Sequence, residues 1–302
     1  MNADILPIDP EVIIERLEPG LSPGARILRR QYGINGYRTD RSGLEGQLPL
    51  FVLQPREPYD VQALCKLVSS LCDENGGEPP VVIVPRGGGT GQCGGAVPLQ
   101  PSIVLDMSYM DRYMRVNDDL DYYYVQPGMT IGRLNDEIGG YSRFFPAIPV
   151  GAADEATVGG VISTNATGMY AAKYGRAADS VARLDVVLAD GIFVQLGPHA
   201  IESASGVNLA PLMIGAEGTL GIIVGAVVRL SPAPHAIKSL YLILDDPYFA
   251  FFACDVVRNA GPEIATVQLL SVQTVNMLAR AKPDAGLPKN KAMLWVEFHS
   301  DK

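Results

Sequence analysis

Residues 81–95 combine a run of glycines with an arginine and a hydroxyl group, and this combination can bind phosphate. The stretch reads VVIVPRGGGTGQCGG. Because glycine has no side chain, successive backbone N–H groups can converge on one anion without a steric clash. Arg86 adds a positive charge beside the glycines, and Thr90 adds a hydroxyl donor. We therefore expect this loop to bind a pyrophosphate.

The spacing Gly89-x-Gly91-x-x-Gly94 matches the dinucleotide fingerprint of the Rossmann fold, but the residues that follow do not. That fingerprint has to open a helix whose N-terminus faces the pyrophosphate. Here residues 95–101 read GAVPLQP, and the two prolines prevent a helix from propagating. The P-loop motif is excluded as well, because no Lys-Ser or Lys-Thr pair follows the glycines.

Two later stretches are also rich in glycine and small residues. Residues 149–168 read PVGAADEATVGGVISTNATG, and residues 215–223 read GAEGTLGII. Both offer hydroxyl groups and few side chains that could fill a hydrophobic core. One glycine loop is readily explained as a structural turn, but three separated stretches indicate a long ligand that contacts all of them.

Taken in order, these stretches resemble the FAD-binding domain of the vanillyl-alcohol oxidase type. Within that family they are most similar to glycolate oxidase FAD subunits and to D-lactate and D-2-hydroxyglutarate dehydrogenases. The ordered set is specific although each piece alone is common. The matching pieces are PRGGGTGQCGG, VQPGMT, ATVGGVISTNATG with KYGR, ADG, and GAEGTLGII.

The resemblance implies an α+β fold in which two α+β subdomains clasp an extended FAD and an incomplete α+β cap domain follows. We expect an N-terminal arm at residues 1–46, the FAD-binding domain at 47–234, and a partial substrate or cap domain at 235–302.

The resemblance also implies which positions contact FAD. Three groups of positions are implied. The backbone around the first loop would hold the pyrophosphate, with Gln92 near the flavin: Arg86, Gly87, Gly88, Gly89, Thr90, Gly91 and Gln92. The second group would line the ribityl and pyrophosphate wall: Pro149, Thr157, Gly159, Gly160, Ser163, Asn165 and Gly168. Gly221 and Ile223 would contribute main-chain contacts. Glu217 has two interpretations, a carboxylate that fixes its own turn or a cofactor contact.

Three departures from the family pattern affect the cofactor site. Family members that attach flavin covalently from this loop have a histidine about where Thr90 stands, so the FAD is expected to be non-covalent. Cys93 is interpreted either as a second attachment point or as a small packing residue. The family commonly has glycine at the position of Thr167, and Thr-Glu where this chain has Val224-Gly225.

In the family that it resembles, a 2-hydroxy acid gives a hydride to flavin N5 while a base takes the hydroxyl proton. The base, the carboxylate clamp and often a metal come from a histidine-rich motif late in the cap, which these 302 residues do not contain. We therefore assign no catalytic residue and no metal ligand, and interpret His235 and His299 as surface histidines.

Three functions remain open at this stage. The first is a flavoenzyme that oxidises a small 2-hydroxy acid such as D-lactate, glycolate or D-2-hydroxyglutarate and passes electrons to an acceptor protein or a quinone. The second is a non-catalytic FAD-carrying subunit that works in a complex, where a partner subunit completes the cap. The third is a remnant that keeps the fold without the flavin.

Composition limits the partners and the compartment. With 24 Lys+Arg and 33 Asp+Glu the net charge is −9, so the chain repels polyanions and nucleic acid is not an expected partner. The four cysteines form no CxxC pair, which is typical of reduced intracellular thiols. The N-terminus lacks the basic and apolar regions of a secretory signal. A cytoplasmic location is expected, with peripheral attachment to the inner membrane through a partner left open.

Hydrophobic periodicity and turn residues predict the elements that position these loops. A strand at 50–53, a helix from Pro58 to about 75 and a strand at 81–84 should form a right-handed βαβ unit that presents the first glycine loop. The later predictions are strands at 102–106, 122–125 and 224–230; a helix after Thr130; a hairpin of 184–188 with 192–196 around a two-residue Asp-Gly turn; and a linker at 231–234. For the cap we predict strands at 240–244 and 293–298, the latter with an open edge near 294–298, and helices at 248–259 and 272–280.

Overall fold

The first part of the chain builds a four-stranded sheet whose last strand leads into the glycine loop. In the computed structural model, residues 9–29, 33–116, 121–198, 206–261 and 263–300 are described. The elements are α1 (Pro10–Leu17), β1 (Arg26–Arg29), β2 (Phe51–Gln54), α2 (Pro58–Glu74), β3 (Val82–Arg86) and β4 (Ser102–Asp106). The strand order is β1-β2-β4-β3, in which β2, β4 and β3 run parallel and β1 is antiparallel to β2.

Helix α2 confirms the predicted βαβ connectivity and its apolar face. Pro58 stands in its first turn, where a missing N–H costs nothing, and Gly76 and Gly77 follow its end with positive φ. The predicted strand at 50–53 and the strand at 81–84 are both parallel to β4, which lies between them. Residues predicted to form an arm contribute α1 and β1 to this layer.

Asp60 ties the start of α2 to the segment that follows α1. Its side chain is fully buried. Asp60 Oδ1 accepts a hydrogen bond from Ser22 N at 2.6 Å, and Oδ2 accepts from Ser22 Oγ at 2.8 Å. Asp60 Oδ2 also accepts from the backbone N–H groups of Arg56 and Glu57, at 2.8 and 3.0 Å. One buried carboxylate therefore satisfies four donors.

The second layer is a five-stranded antiparallel sheet in the order β5-β6-β10-β8-β9. Its strands are β5 (Tyr113–Arg115), β6 (Tyr122–Val125), β8 (Val181–Val187), β9 (Phe193–Leu196) and β10 (Ile222–Arg229). The other elements are α3 (Ile131–Ile138), β7 (Arg143–Phe144), α4 (Val158–Ser163), α5 (Ala171–Tyr174), α6 (Ala210–Met213) and β11 (Ser231–Pro232). Single 3-10 turns lie at Glu18–Gly20, Ile34–Arg38, Met107–Tyr109, Gly139–Tyr141, Ala177–Ser180 and Pro283–Ala285.

Strand β10 holds the two layers together because it is buried on both faces. Ile223, Ala226 and Val228 belong to the core of the second layer. Ile222 and Val224 pack instead into the core of the first layer, with α1 and α2. A continuous apolar run is typical of a strand buried on both faces.

Two sequence predictions in this layer need correction. The β8–β9 hairpin forms as predicted, but Leu188 N bonds to Ile192 O at 2.9 Å, which leaves three residues in the connection rather than two. Gly191 at its end has φ +82°, where a side chain would be strained. The predicted linker at 231–234 contains β11, which pairs with β7.

The last part of the chain forms a three-stranded antiparallel sheet with two helices, as the α+β prediction for the cap requires. Its elements are β12 (Ala236–Leu244), α7 (Pro247–Arg258), β13 (Ile264–Leu270), α8 (Val272–Ala281) and β14 (Ala292–Ser300). Strand β13 was missed in the sequence. The order is β12-β14-β13, so residues 294–298 lie in the central strand and the predicted open edge there is wrong. The edges of this sheet are β12 and β13.

His299 lies where this sheet meets the second layer, and its interpretation as a surface histidine is wrong. Its side chain is 1% exposed. The ring bonds to Glu297 Oε1 through Nε2 and to the Tyr174 hydroxyl through Nδ1, both at 3.0 Å, and packs on Tyr170. Burial, together with the nearby Glu297 carboxylate, raises the pKa of Tyr170. His235 is exposed as predicted, and His199 lies outside the described residues.

Candidate functional site: a cavity between the glycine-rich stretches

The three glycine-rich stretches meet around two adjoining cavities between the first and second layers. The larger cavity has a volume of about 340 Å³ and the smaller one about 60 Å³. Both are lined by Pro85, Gly87, Thr157, Gly160 and Ser163. Glu217 lines the larger cavity and Gly221 the smaller one, so the first and third stretches, more than a hundred residues apart in the chain, also meet here.

Most of the positions predicted from the family resemblance lie in these walls. The larger cavity is lined by Gly87, Gly88, Gly89, Thr90, Gly91, Gln92, Pro149, Thr157, Gly160 and Ser163. The smaller cavity is lined by Arg86, Gly87, Thr157, Gly159, Gly160, Ser163, Gly221 and Ile223. Cys93 and Glu217 line the larger cavity as well.

Residues 87–91, here called the glycine run, lie directly against the second glycine-rich stretch. A Cβ atom on Gly87 would overlap the Thr157 hydroxyl, and one on Gly88 would overlap the Glu155 carbonyl oxygen. Gly89 has φ +65°, which disfavours any side chain. The glycines are therefore needed for the close approach of two chain segments, in addition to leaving backbone bare at the cavity.

The second stretch is fixed by a short helix and its cap. Thr157 precedes α4, and its hydroxyl accepts a hydrogen bond from Gly160 N at 3.3 Å. A Cβ atom on Gly159 would lie 2.5 Å from Pro127 Cβ, so glycine allows α4 to pack against that turn. The N-cap and the close packing hold Gly160 and Ser163 at the cavity wall.

Two predicted positions, Asn165 and Gly168, lie outside the two cavity linings and have visible structural roles. Asn165 adopts φ +46°, and its side-chain oxygen accepts a hydrogen bond from Ala178 N at 3.1 Å. A Cβ atom on Gly168 would lie 2.6 Å from Ile148 N, next to the segment that leads to Pro149. Both residues therefore fix the local chain path next to the cavity without lining it.

The Arg86 side chain holds the loop in place. Its guanidinium donates to the carbonyl oxygen of Thr39 at 2.8 Å and to that of Ala96 at 3.4 Å. It also lies 5.5 Å from the ring centre of Tyr37, within cation–π range. The Tyr37 hydroxyl donates to Asp106 at 2.7 Å, and burial together with this bond raises the pKa of Tyr37.

We expect Arg86→Ala to bind FAD about tenfold more weakly while the fold stays intact, because the loop loses its links to Thr39 and Ala96. Quenching of FAD fluorescence on titration with apoprotein measures the dissociation constant. Arg16→Ala is the control, since Arg16 forms an exposed ion pair with Glu74. An unchanged dissociation constant for Arg86→Ala would count against any role of this arginine in the loop.

The departure from the family pattern at Gly225 has a steric explanation. A Cβ atom there would overlap the Tyr124 hydroxyl, so a larger residue would require this tyrosine to move. Burial, with the neighbouring Asp185, raises the pKa of Tyr124 to about 12. The tyrosine occupies the space that a side chain at position 225 would need.

Sequence reasoning missed the part of the site that comes from the N-terminal region. Arg41 contacts the glycine run and Thr39 contacts Arg86 beside it, although we predicted residues 1–46 only as an N-terminal arm. A polar connector gives no motif by which this contact could be recognised. Pro85, Met107 and Pro127 also line the smaller cavity and were not predicted.

Comparison with known proteins identifies the domain. A family described as an FAD binding domain matches residues 49–197. The chain is 30% identical over 262 residues to glycolate oxidase subunit GlcD of Bacillus subtilis, covering 86% of this chain and 54% of that protein. It is 38% identical over 181 residues to a D-lactate dehydrogenase of Archaeoglobus fulgidus, covering 60% and 38%. It is 30% identical over 230 residues to the D-2-hydroxyglutarate dehydrogenase of Stutzerimonas stutzeri, covering 76% and 47%.

Solved structures show the same fold. An alkyldihydroxyacetonephosphate synthase superposes with a TM-score of 0.76 at 19% identity, covering 99% of this chain and 57% of that chain. A p-cresol methylhydroxylase superposes with a TM-score of 0.73 at 17% identity, covering 96% and 60%. Residues 49–197 belong to the FAD-binding domain family, of the vanillyl-alcohol oxidase and p-cresol methylhydroxylase type, which confirms the predicted family. The solved structures confirm the predicted fold class. It spans about half the length of the curated relatives named above.

The described part of the chain holds neither a candidate metal site nor a membrane-spanning helix. Within the described ranges, no group of three His, Cys, Asp or Glu side chains is placed to hold a metal ion. No described helix is both long enough and apolar enough to cross a bilayer. The four cysteines are free thiols, and burial raises the pKa of Cys65 to about 12.

Proposed function

We propose that the chain binds FAD non-covalently in the two adjoining cavities and serves the oxidation of a small 2-hydroxy acid. The observation that carries the proposal is the meeting of three glycine-rich stretches around one continuous wall. Bare backbone on two facing segments fits an extended dinucleotide better than a compact ligand. The match to an FAD-binding domain supports the same cofactor.

Each cavity wall has its own role in this proposal. The backbone N–H groups of the glycine run would bind the pyrophosphate, and Gln92 would lie toward the flavin. Pro149, Thr157 and Ser163 would contact the ribityl chain. Gly221 and Ile223 would contact the cofactor through their main chain. FAD, when bound, supplies the hydride acceptor, and the protein supplies orientation and a surface that excludes water.

The non-covalent state is inferred from Thr90, which lines the larger cavity. Threonine has no ring nitrogen that could bond to the flavin, so the loop would hold the cofactor by hydrogen bonds alone. Acid precipitation of FAD-loaded protein tests this point: we expect all of the flavin in the supernatant. A yellow pellet would indicate a covalent bond and would direct attention to Cys93.

The substrate class follows from the relatives, which are named as glycolate oxidase, D-lactate dehydrogenase and D-2-hydroxyglutarate dehydrogenase. The proposal assigns no catalytic base; the buried His299 is bonded to Glu297 and Tyr174. Electrons would pass to an acceptor protein or a quinone.

An FAD-carrying subunit that needs a partner is the second candidate. Strand β12 is an edge of the last sheet and exposes Ile237, Leu240, Tyr241 and Ile243, each at least 46% exposed. An edge strand that has unpaired backbone groups and exposed apolar side chains can pair with an additional strand. The relative from Bacillus subtilis is itself named as a subunit.

An absorption spectrum of the purified protein tests the shared part of both candidates. We expect flavin bands near their usual wavelengths, or their appearance after incubation with FAD and gel filtration. A preparation that stays colourless after this treatment would refute both. Reduction of bound FAD by D-lactate, glycolate or D-2-hydroxyglutarate under anaerobic conditions then separates them. Bleaching by the chain alone supports the enzyme, and bleaching only with an added partner supports the subunit.

A further inference from the structure

Residues 39–42, here called the strap, lie across the glycine run. The backbone N–H of Arg41 donates to Gly89 O at 3.2 Å. The carbonyl oxygen of Thr39 accepts from the Arg86 guanidinium at 2.8 Å. The strap is therefore bonded to Arg86 and to Gly89 of the loop that forms the cavity wall, although it lies outside the part of the chain that matches the FAD-binding family.

The Arg41 side chain extends the strap to the second glycine-rich stretch. Its guanidinium donates to Glu155 Oε1 at 2.8 Å and approaches Gly151 O at 3.5 Å. The main-chain oxygen of Glu155 is the atom that a side chain at position 88 would overlap. Arg41 thus contacts the glycine run through its backbone and the facing segment through its side chain, and so fixes the distance between them.

Asp40 brings an unsatisfied acceptor to the same place. Its Oδ1 accepts a hydrogen bond from Ser42 N at 2.8 Å. Its Oδ2 is buried and has no hydrogen-bond partner among the described residues. A Cβ atom on Gly91 would lie 3.6 Å from this oxygen, so the oxygen faces the glycine run. A buried carboxylate oxygen without a donor is costly, and such an atom is expected to gain a donor in the working state.

We propose that the strap is a positioning element of the cofactor site. Arg41 holds the two glycine-rich segments at the separation that the dinucleotide requires, and Asp40 Oδ2 accepts a hydrogen bond from a donor that the bound cofactor brings or turns toward it. Neither residue was among the predicted site positions. The proposal rests on FAD binding, which the spectrum of the wild-type protein tests independently.

Dissociation of FAD from the loaded protein measures the role of Arg41. We expect Arg41→Gln to release FAD three- to fivefold faster, as loss of a half-exposed ion pair predicts. Arg16→Gln is a matched control, because its ion pair with Glu74 has nearly the same exposure, 39% and 56% against 41% and 59%. The single charge reversals Arg41→Glu and Glu155→Arg should both release FAD faster, and their combination should restore the wild-type rate within twofold.

Titration of apoprotein with FAD and with ADP measures the role of Asp40. We expect Asp40→Asn to raise the dissociation constant of FAD about tenfold, with Glu45→Gln, which removes the charge that pairs with Arg38, as the control. If the dissociation constant of ADP rises by the same factor, the donor lies at the glycine run or on the adenosine half of FAD. If only the dissociation constant of FAD rises, the donor lies on the flavin half.

Thermal unfolding of the apoproteins distinguishes positioning from simple stabilisation. We expect Asp40→Asn and Arg41→Gln to leave the Tm of the apoprotein within 2 °C and to lower the increase in Tm that FAD produces. Unchanged FAD affinity and release in both variants would overturn the proposal, and so would tighter binding by Asp40→Asn, which would mean that the carboxylate repels the phosphate. A wild-type protein that binds no FAD would refute the proposed function itself.

Discussion

Gly88→Ala is expected to weaken FAD binding by about a hundredfold, which corresponds to about 2.7 kcal/mol. A methyl group at this position would overlap the carbonyl oxygen of Glu155, a main-chain atom that cannot move aside by a rotamer change. Either the glycine run or the segment around Glu155 must shift, and both line or support the larger cavity. The displacement should also cost about 1–3 kcal/mol of stability, as overpacking does elsewhere.

Titration with FAD and urea unfolding of the apoprotein measure the two effects of this substitution separately. Gly139→Ala is the matched control, since no described atom beyond its own chain neighbourhood lies within 4 Å of a Cβ there and its φ is −56°. That change should be neutral or slightly stabilising. Wild-type affinity in Gly88→Ala would show that the close approach to Glu155 does not shape the site.

Asp60→Ala is expected to destabilise the protein by about 3–5 kcal/mol, a large part of the stability of an ordinary domain. The substitution leaves four donors without an acceptor: the N–H and hydroxyl of Ser22 and the N–H groups of Arg56 and Glu57. Because the site is fully buried, water cannot replace the carboxylate without opening the contact between the segment at Ser22 and α2.

Urea unfolding followed by far-UV circular dichroism measures this loss. Asp73→Ala on the same helix removes an exposed carboxylate and should change the free energy of unfolding by less than about 0.5 kcal/mol. A loss below about 1 kcal/mol in Asp60→Ala would mean that the four donors find other partners.

Local signals in the sequence predicted most of the elements correctly. Helix α2 has proline in its first turn, apolar residues at helical spacing and two glycines after its end, and all of these act within a few residues. Strands β4 and β6 have the predicted limits, Ser102–Asp106 and Tyr122–Val125. The strand order was less accessible: β14 comes last in the chain yet pairs on both sides, because pairing depends on partners far away in sequence.

The candidate site likewise has parts that the local sequence predicts and parts that it does not. Its glycine-rich walls stand out because they lack side chains, and this composition is visible in the sequence. Arg41 and Asp40 do not stand out, since charged residues in a connector usually face solvent. His299 was misinterpreted for a related reason, because its partner Tyr174 lies 125 residues earlier in the chain.

The position of β10 has a consequence for how the protein acquires its cofactor. This strand contributes side chains to the cores of both layers, and its residues Ile222 and Ile223 line the smaller cavity. During synthesis the pocket therefore cannot close until the ribosome has passed residue 223, long after the glycine run has emerged. FAD would therefore bind late in folding. Because only the folded chain forms the pocket, free FAD stabilises the folded chain relative to any partly folded one by mass action. In cells short of riboflavin a larger share of this protein should lack FAD, and proteases should remove that share more readily.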